Sequence, residues 1–265
     1  MQKEITKFSS SVHLEGMTSI RAVLNGAAEG INDRRILRVL YSKDREEKLA
    51  RELRYLRAIA SERGFTVDAA DHEEIEALAL GTTHGGLLAL CSDRTLPRLS
   101  EVFSAGGLKE NGFYAMIEGI EDPYNFGYAL RSLYACGCDG VIVAGRNWYS
   151  AAGVVARSSA GASELLPALL AESASEAIDV LHRMHYTVVC ADEKTDQVLG
   201  QCELAYPILL VVGGEKRGLS APVLKAADMR VKISYARPFR ASLSAASAAT
   251  MFAYEIARQH AIGKA

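Results

Sequence analysis

Long apolar runs are missing from this chain of 265 residues: no stretch approaches the ~20 consecutive apolar residues of a membrane span. An excess of one charge is missing too. Lys and Arg number 30 and Asp and Glu 32, for a formal net charge of -2. The chain is therefore no bulk polycation, and any binding of a polyanion has to use local patches. Cysteine is sparse and odd in number. The five thiols, at 91, 136, 138, 190 and 202, form no CxxC pair, and Cys136 and Cys138 are only two apart. They are expected to be reduced and mostly buried. Among the six histidines, His182 and His185 lie three apart with no third partner, so no metal site is expected. No GxGxxG follows an apolar run, which removes the dinucleotide fingerprint. Gly213 and Gly218 have the spacing of a phosphate-binding loop, but Leu219 stands where its lysine belongs. The opening MQKEITKFSS lacks the apolar core of a signal peptide. These absences together predict a soluble, cytoplasmic protein.

What is present is ordinary globular composition, 49% hydrophobic and 23% charged. The length fits two domains or one large α/β domain. Charge is uneven on a finer scale. Residues 1–63 hold 13 basic and 9 acidic side chains, and residues 64–110 hold 3 and 8. Arg34, Arg35 and Arg38 cluster, and Arg51, Arg54 and Arg57 follow at helical spacing. Two readings stay open: a solvated helix face balanced by Glu46, Glu47 and Glu52, or a patch that faces RNA.

The first part reads as a compact β-α-β-α-β unit. Ile20–Asn25 is a short helix and Ile36–Tyr41 a strand. Arg45–Arg63 is a helix with Leu49, Leu53, Leu56 and Ile59 on one face, ended by Gly64. Phe65–Ala69, Glu73–Leu80 and Leu87–Cys91 follow as strand, helix and strand. Residues 92–111 carry many breakers and read as a connection, so one domain is placed at 1–105 and a second at 111–265. The second alternates more strictly, with apolar strands at Phe113–Glu118, Gly140–Ala144, Thr187–Ala191 and Pro207–Val212. Glu164–Leu166 and Arg230–Ser234 are further strands. Helices are expected over 126–136, Ala151–Ser159, Ser175–Met184, Ala221–Ala227 and Ser242–His260. Continuous apolar strands between helices predict a parallel sheet covered on both faces.

Ligands of such sheets bind beyond the carboxyl ends of the strands. Three loops stand there. The first runs Glu121-Asp122-Pro123-Tyr124-Asn125-Phe126-Gly127, with Arg131 after it. The second is Gly213-Gly214-Glu215-Lys216-Arg217-Gly218-Leu219-Ser220. The third is Arg237-Pro238-Phe239-Arg240-Ala241-Ser242-Leu243-Ser244. Asn125 suits a helix N-cap. Arg131 needs an anion: a salt bridge to Glu121 or Asp122, or a phosphate or ribose contact.

At these loops the sequence resembles the SpoU (TrmH-like) family of RNA ribose 2'-O-methyltransferases, within the SPOUT superfamily. The family's Asn-x-Gly-x-x-x-Arg is met by Asn125, Gly127 and Arg131. Its Gly-x-Glu-x-x-Gly-[Leu/Met]-Ser is met by Gly213, Glu215, Gly218, Leu219 and Ser220. Its third motif is met by Ile233, Ser242, Leu243 and Ala248, and its Ser-x-Gly-Ala stretch resembles Ser158–Ala162. The likeness covers about residues 111–262. The first part, with Gly16–Ala22 and the His84-Gly85-Gly86 turn, is similar to the ribosomal-protein-L30e-like domain of rRNA-directed members. Three positions depart from the pattern: Ser234 replaces Pro, Ser244 replaces Asn and Ala246 replaces Ser.

The resemblance implies an α/β fold: a C-terminal trefoil-knotted SPOUT domain with a parallel sheet, behind a smaller N-terminal α/β domain that binds the RNA substrate. It implies S-adenosylmethionine (AdoMet) held near Ala191, Gly213, Gly214, Glu215, Ile233 and Leu243. It makes Arg131 the central catalytic residue, with Asn125, Glu215, Ser242 and Ser244 around it. RNA contacts would fall to Arg34, Arg35, Arg38, Arg131 and Arg217. The partner would be RNA, rRNA before tRNA, and the assembly a homodimer packed through the knot. Ser244 keeps a second outcome open, an RNA-binding protein with impaired catalysis.

Overall fold

The computed structural model describes residues 12–144 and 148–260. In chain order the first elements are β1 (Val12–Glu15), α1 (Gly16–Ala28), β2 (Ile36–Ser42), α2 (Ala50–Arg63), β3 (Thr66–Ala70), α3 (His72–Leu78) and β4 (Leu87–Cys91). There follow α4 (Leu99–Ser104), β5 (Phe113–Glu118), α5 (Pro123–Ala135), β6 (Gly140–Ala144), α6 (Ala152–Ser158), α7 (Ala162–Leu165) and β7 (Ala168–Ala171). The last are α8 (Ala174–Arg183), β8 (Thr187–Ala191), β9 (Ile208–Gly213), α9 (Ala221–Ala226), β10 (Met229–Val231) and α10 (Ala245–His260). They form two compact units. One holds the chain up to Thr95 together with Tyr149–Leu165, and the other holds Leu96–Trp148 and the chain from Leu166 onward.

The first unit is a four-stranded sheet in the order β1-β4-β2-β3. β4 is antiparallel to both neighbours, and β2 and β3 run parallel. Every residue of β4 is buried, because both faces of the sheet are covered. Leu14, Ile20, Val23, Val39, Leu53, Leu56 and Leu87 make one core, and Leu40, Ile75, Leu88 and Leu90 fill the other face. Gly64 ends α2 in the left-handed conformation, φ 73°, as its position predicted.

The second unit is a six-stranded sheet in the order β10-β8-β9-β5-β6-β7, parallel throughout. The expectation of an α/β fold with a parallel sheet holds. Central strands such as β9 (ILLVVG) are apolar along their length because layers cover both faces. Ile178, Leu181, Val188, Leu209, Val211 and Val223 pack in one core cluster. α10 packs on α5 and on β9.

Several expectations shift. The connection at 92–111 contains α4, and the compact units divide at Thr95 rather than near 110. The segment Tyr149–Leu165 belongs with the first unit, although sequence order places it inside the second. Glycine permits that packing: a Cβ on Gly26 would stand 2.1 Å from the carbonyl oxygen of Glu164. The strand expected at Glu164–Leu166 is instead the helical turn α7, and the strand begins after Pro167. α10 starts at Ala245, three residues later than expected, because Ser244 caps it. β10 stops at Val231, before Ser234.

Candidate active site

Because all six strands are parallel, their carboxyl ends share one edge. The loops after β8, β9 and β10 meet there around a cavity of about 540 Å3. Val212, Leu219, Ile233 and Leu243 give it apolar walls, and Asp192, Glu193, Lys194 and Lys232 give it charges of both signs. The predicted residues Ala191, Gly213, Gly214, Glu215, Arg217, Ile233, Ser242 and Leu243 all line it.

The two glycines of β9 and its loop are required by the protein's own backbone. A Cβ on Gly213 would lie 2.4 Å from the carbonyl carbon of Gly218 and 2.6 Å from the nitrogen of Leu219. A Cβ on Gly214 would lie 2.1 Å from the oxygen of Gly119. The Gly214 nitrogen donates to the Glu118 carbonyl at 2.7 Å. The loop after β9 therefore folds back on itself and against the end of β5.

Glu215 joins three loops. Its Oε1 accepts from Asn125 Nδ2 at 3.1 Å and from the backbone nitrogen of Ala245 at 3.1 Å. Asn125 is free to do this because it is not the cap of α5. Asp122 is: its carboxylate accepts from the Tyr124 and Asn125 nitrogens, and Pro123 fills the first helical position. Asn125 sits two residues further on.

Arg131 lies in the third turn of α5 and is exposed. The anticipated bridge to Glu121 or Asp122 does not form. Glu121 takes Lys216, Asp122 caps the helix, and Arg131 has no hydrogen bond or ion pair with any described residue. Neither Asn125 nor Glu215 bonds it.

Ser244 accepts from the Ser247 nitrogen at 3.1 Å, the N-cap geometry for α10. Its hydroxyl also pairs with Ser247 Oγ at 3.0 Å. Asn and Ser cap about equally well, so this position keeps its structural role in the departure from the motif.

Of the expected polyanion contacts in the first unit, Arg34 is excluded. Its side chain is 1% exposed; Nε donates to Glu164 Oε2 at 2.9 Å and Nη1 to the Ser92 carbonyl at 2.7 Å. A buried guanidinium needs such partners, and nothing reaches it from solvent. Arg38 is half-buried and paired with Asp68 at 2.7 Å. Arg35 is exposed.

Sequence reasoning missed Asp192, which lines the cavity and accepts from Arg230 Nε at 2.7 Å. It also missed Tyr235 and Phe239, which line the cavity from the third loop. Their signal was available: two aromatic residues inside a polar, arginine-bearing turn.

The glycine-bearing loop after a buried parallel strand, the Asn125–Glu215 contact and the capped final helix coincide with a family pattern over residues 112–254, that of the SpoU rRNA methylase family. The chain belongs to that family. Its curated relatives agree. A Bacillus subtilis (strain 168) protein assigned by name to the TrmH family of tRNA/rRNA methyltransferases is 25% identical over 76% of this chain and 80% of its own length. A Mycolicibacterium vanbaalenii protein named as a tRNA/rRNA methyltransferase is 29% identical over 84% of this chain and 70% of its own. Among solved structures, the SpoU methyltransferase AviRb of Streptomyces viridochromogenes superposes with a TM-score of 0.75 at 25% identity, covering 99% of this chain and 94% of that one. A second AviRb structure, in complex with AdoMet, shares the fold with a TM-score of 0.74. As a SpoU family member, the chain is an RNA methyltransferase by family. Among the described residues no helix is long and apolar enough to cross a membrane.

Proposed function

We propose that this protein transfers a methyl group from AdoMet to a ribose 2'-hydroxyl of RNA, with rRNA as the substrate. The observation that carries the reading is Arg131: an exposed arginine without a partner among the described residues, on the helix whose Asn125 is tied through Glu215 to the cavity.

The cavity suits the cofactor. Its volume lies in the range of small-molecule sites. Apolar Ile233, Leu243, Val212 and Leu219 suit an adenine ring, and the mixed charges of Asp192, Glu193, Lys194 and Lys232 suit an amino-acid tail with both an ammonium and a carboxylate. AdoMet supplies a methyl group on a sulfonium, a strong leaving group. The residues then have to align a weak nucleophile and remove its proton. Arginine stays protonated in proteins, so Arg131 is no base. It acts as a clamp on the RNA phosphate and the hydroxyl oxygen. The oxygen forms its bond to the methyl carbon as the carbon–sulfur bond breaks, and the proton leaves to water or a phosphate oxygen. Glu215 and Asn125 hold the loop after β9 against α5 and α10, and Ser242 lies beside them on the cavity wall.

Other parts of the reading follow from family membership. The second unit is knotted, supported by a strand order in which the chain leaves β7 for β8 and returns inward to β9. The first unit binds the RNA substrate, with Arg35 and Arg38 as candidate contacts. The assembly is a homodimer through α5 and α10, supported by the exposed Tyr128, Tyr134, Met251 and Tyr254 on those helices. The small-residue run of α10 serves packing inside the chain, since Ala245, Ala246 and Ala249 are buried.

The test is transfer of radiolabelled methyl to ribosomal RNA from cells lacking the protein, with AdoMet binding measured by calorimetry. A 2'-O-methyl group blocks alkaline cleavage at its own phosphodiester, which identifies the position. Arg131→Ala is expected to bind AdoMet normally and lose transfer by at least about 100-fold, the scale of removing a preorganised electrostatic group. Full transfer by Arg131→Ala would refute the assignment. AdoMet binding without transfer to any RNA would leave the impaired, RNA-binding alternative.

A further inference from the structure

Phe239 is 58% exposed, more than any other large apolar side chain among the described residues. It is not loosely placed. Its ring meets Tyr235 edge to face, with centroids 5.8 Å apart and planes at 71°. Tyr235 is in turn fixed, its hydroxyl accepting from the Leu243 nitrogen at 3.3 Å. An edge-to-face pair leaves at least one face of each ring outside the contact. Both rings border the cavity, so the free aromatic surface stands beside the methyl-transfer site.

The charges in its own loop are of one sign. Arg237 and Arg240 flank Phe239 in the same loop and are exposed, and Arg217 stands on the facing loop. None of the three has an ion-pair partner among the described residues. A rigid aromatic plane between unpaired arginines is the chemistry of single-stranded nucleic-acid recognition: the ring stacks a base and the cations take the phosphates. An acidic peptide would use the arginines and leave the ring unexplained. A duplex would offer phosphates and no base face.

We propose that Phe239 stacks an unpaired base of the RNA, next to the nucleotide whose ribose is methylated, with Arg237 and Arg240 on the adjoining phosphates. The proposal rests on the methyltransferase reading and gives it a substrate class: a target in a loop, bulge or other unpaired segment.

The experiment uses the full-length protein at saturating AdoMet and a fluorescein-labelled 12-residue RNA of mixed sequence, single-stranded or annealed to its complement, read by anisotropy. The single strand is expected to bind more tightly than the duplex. Phe239→Ala is expected to weaken single-strand binding by about tenfold or more, the loss typical of one base–aromatic stack. Phe239→Leu should fail to restore it, and Phe239→Trp should succeed, because stacking needs a π face. The salt dependence should be unchanged in Phe239→Ala and shallower by about 0.7 in Arg240→Gln, one phosphate contact on a single strand. Single-strand binding by Phe239→Leu equal to that of the unaltered protein would overturn the proposal. So would a loss confined to AdoMet affinity, which would make the ring a cover for the cofactor. Methyl transfer decides the underlying reading separately: phenylalanine-dependent RNA binding without any transfer sinks that reading and leaves the stacking platform standing.

Discussion

Arg34→Ala should cost stability and leave RNA contacts alone. The guanidinium is sealed in the first unit, with Glu164 at 2.9 Å and the Ser92 carbonyl at 2.7 Å. Glu164 is equally buried, and the other partner of its carboxylate among the described residues is the Ser163 hydroxyl at 3.3 Å. Removing Arg34 strands a carboxylate out of water and leaves the Ser92 carbonyl short of a donor. Breaking one side of such a pair costs about 3–5 kcal/mol. At roughly 3 °C per kcal/mol for a unit of this size, the first unit's Tm should fall by about 10 °C or more. Glu164→Ala should cost a similar amount, and the double variant Arg34→Met with Glu164→Leu much less than the sum, since neither charge is then left alone. The assay is thermal unfolding by circular dichroism, paired with the salt dependence of binding to ribosomal RNA. Were Arg34 a phosphate contact, its loss would lower that slope by about 0.7–0.9 and spare Tm. An unshifted Tm with a shallower slope would refute the buried-pair argument.

Three further outcomes are expected. Ser244→Ala should lose the cap of α10 and about 1 kcal/mol of stability, while Ser244→Asn keeps both stability and transfer; equal stability of the Ala variant in urea titration would contradict the capping role. Gly214→Ala should abolish AdoMet binding in calorimetry and lower Tm, since its Cβ would overlap the Gly119 carbonyl, and ordinary binding would contradict the backbone contact. Glu255 has its pKa lowered by hydrogen bonding from Arg258 and Gln259. Its contribution is therefore complete above the unfolded-state value and lost as pH falls through the lower folded value, so Glu255→Gln should flatten the acid limb of a stability–pH curve.

The sequence made some of this legible and hid the rest for physical reasons. The parallel sheet was readable because β5, β6, β8 and β9 are short, apolar on both faces and separated by helical lengths. The cavity walls were readable because Gly213, Gly214 and Leu243 lie in loops where such sheets bind ligands, while Ile233 came only with the family resemblance. The cap of α5 was readable and misassigned: Asp122 followed by Pro123 is the stronger start signal, and Asn125 drew attention for its spacing to Arg131. The strand Ala168–Ala171 carries two alanines in four residues, too little β-propensity to show. Arg34 and Glu164 are 130 residues apart. A triple of arginines near a strand reads as a surface patch unless the buried carboxylate facing one of them is known. The same distance hid the allegiance of Tyr149–Leu165 to the first unit.

Glu215 shows why the candidate site reads as three motifs and acts as one object. Asn125 lies 90 residues before it and Ala245 lies 30 residues after it, yet a single carboxylate oxygen accepts from both. Each contact is at a helix start: Asn125 in the first turn of α5, Ala245 at the first residue of α10. The positive end of α10 and the side-chain amide of Asn125 therefore converge on one anion, which fixes the approach of the two helices and offsets the charge of the carboxylate. The loop after β9 cannot satisfy this geometry unless Gly213 and Gly214 let it press on Gly218 and Gly119. The glycines, the carboxylate and the amide are thus linked requirements. Shift the loop outward by the width of one methyl group and Glu215 loses the helix ends, and with them the alignment between the cavity and the helix that carries Arg131.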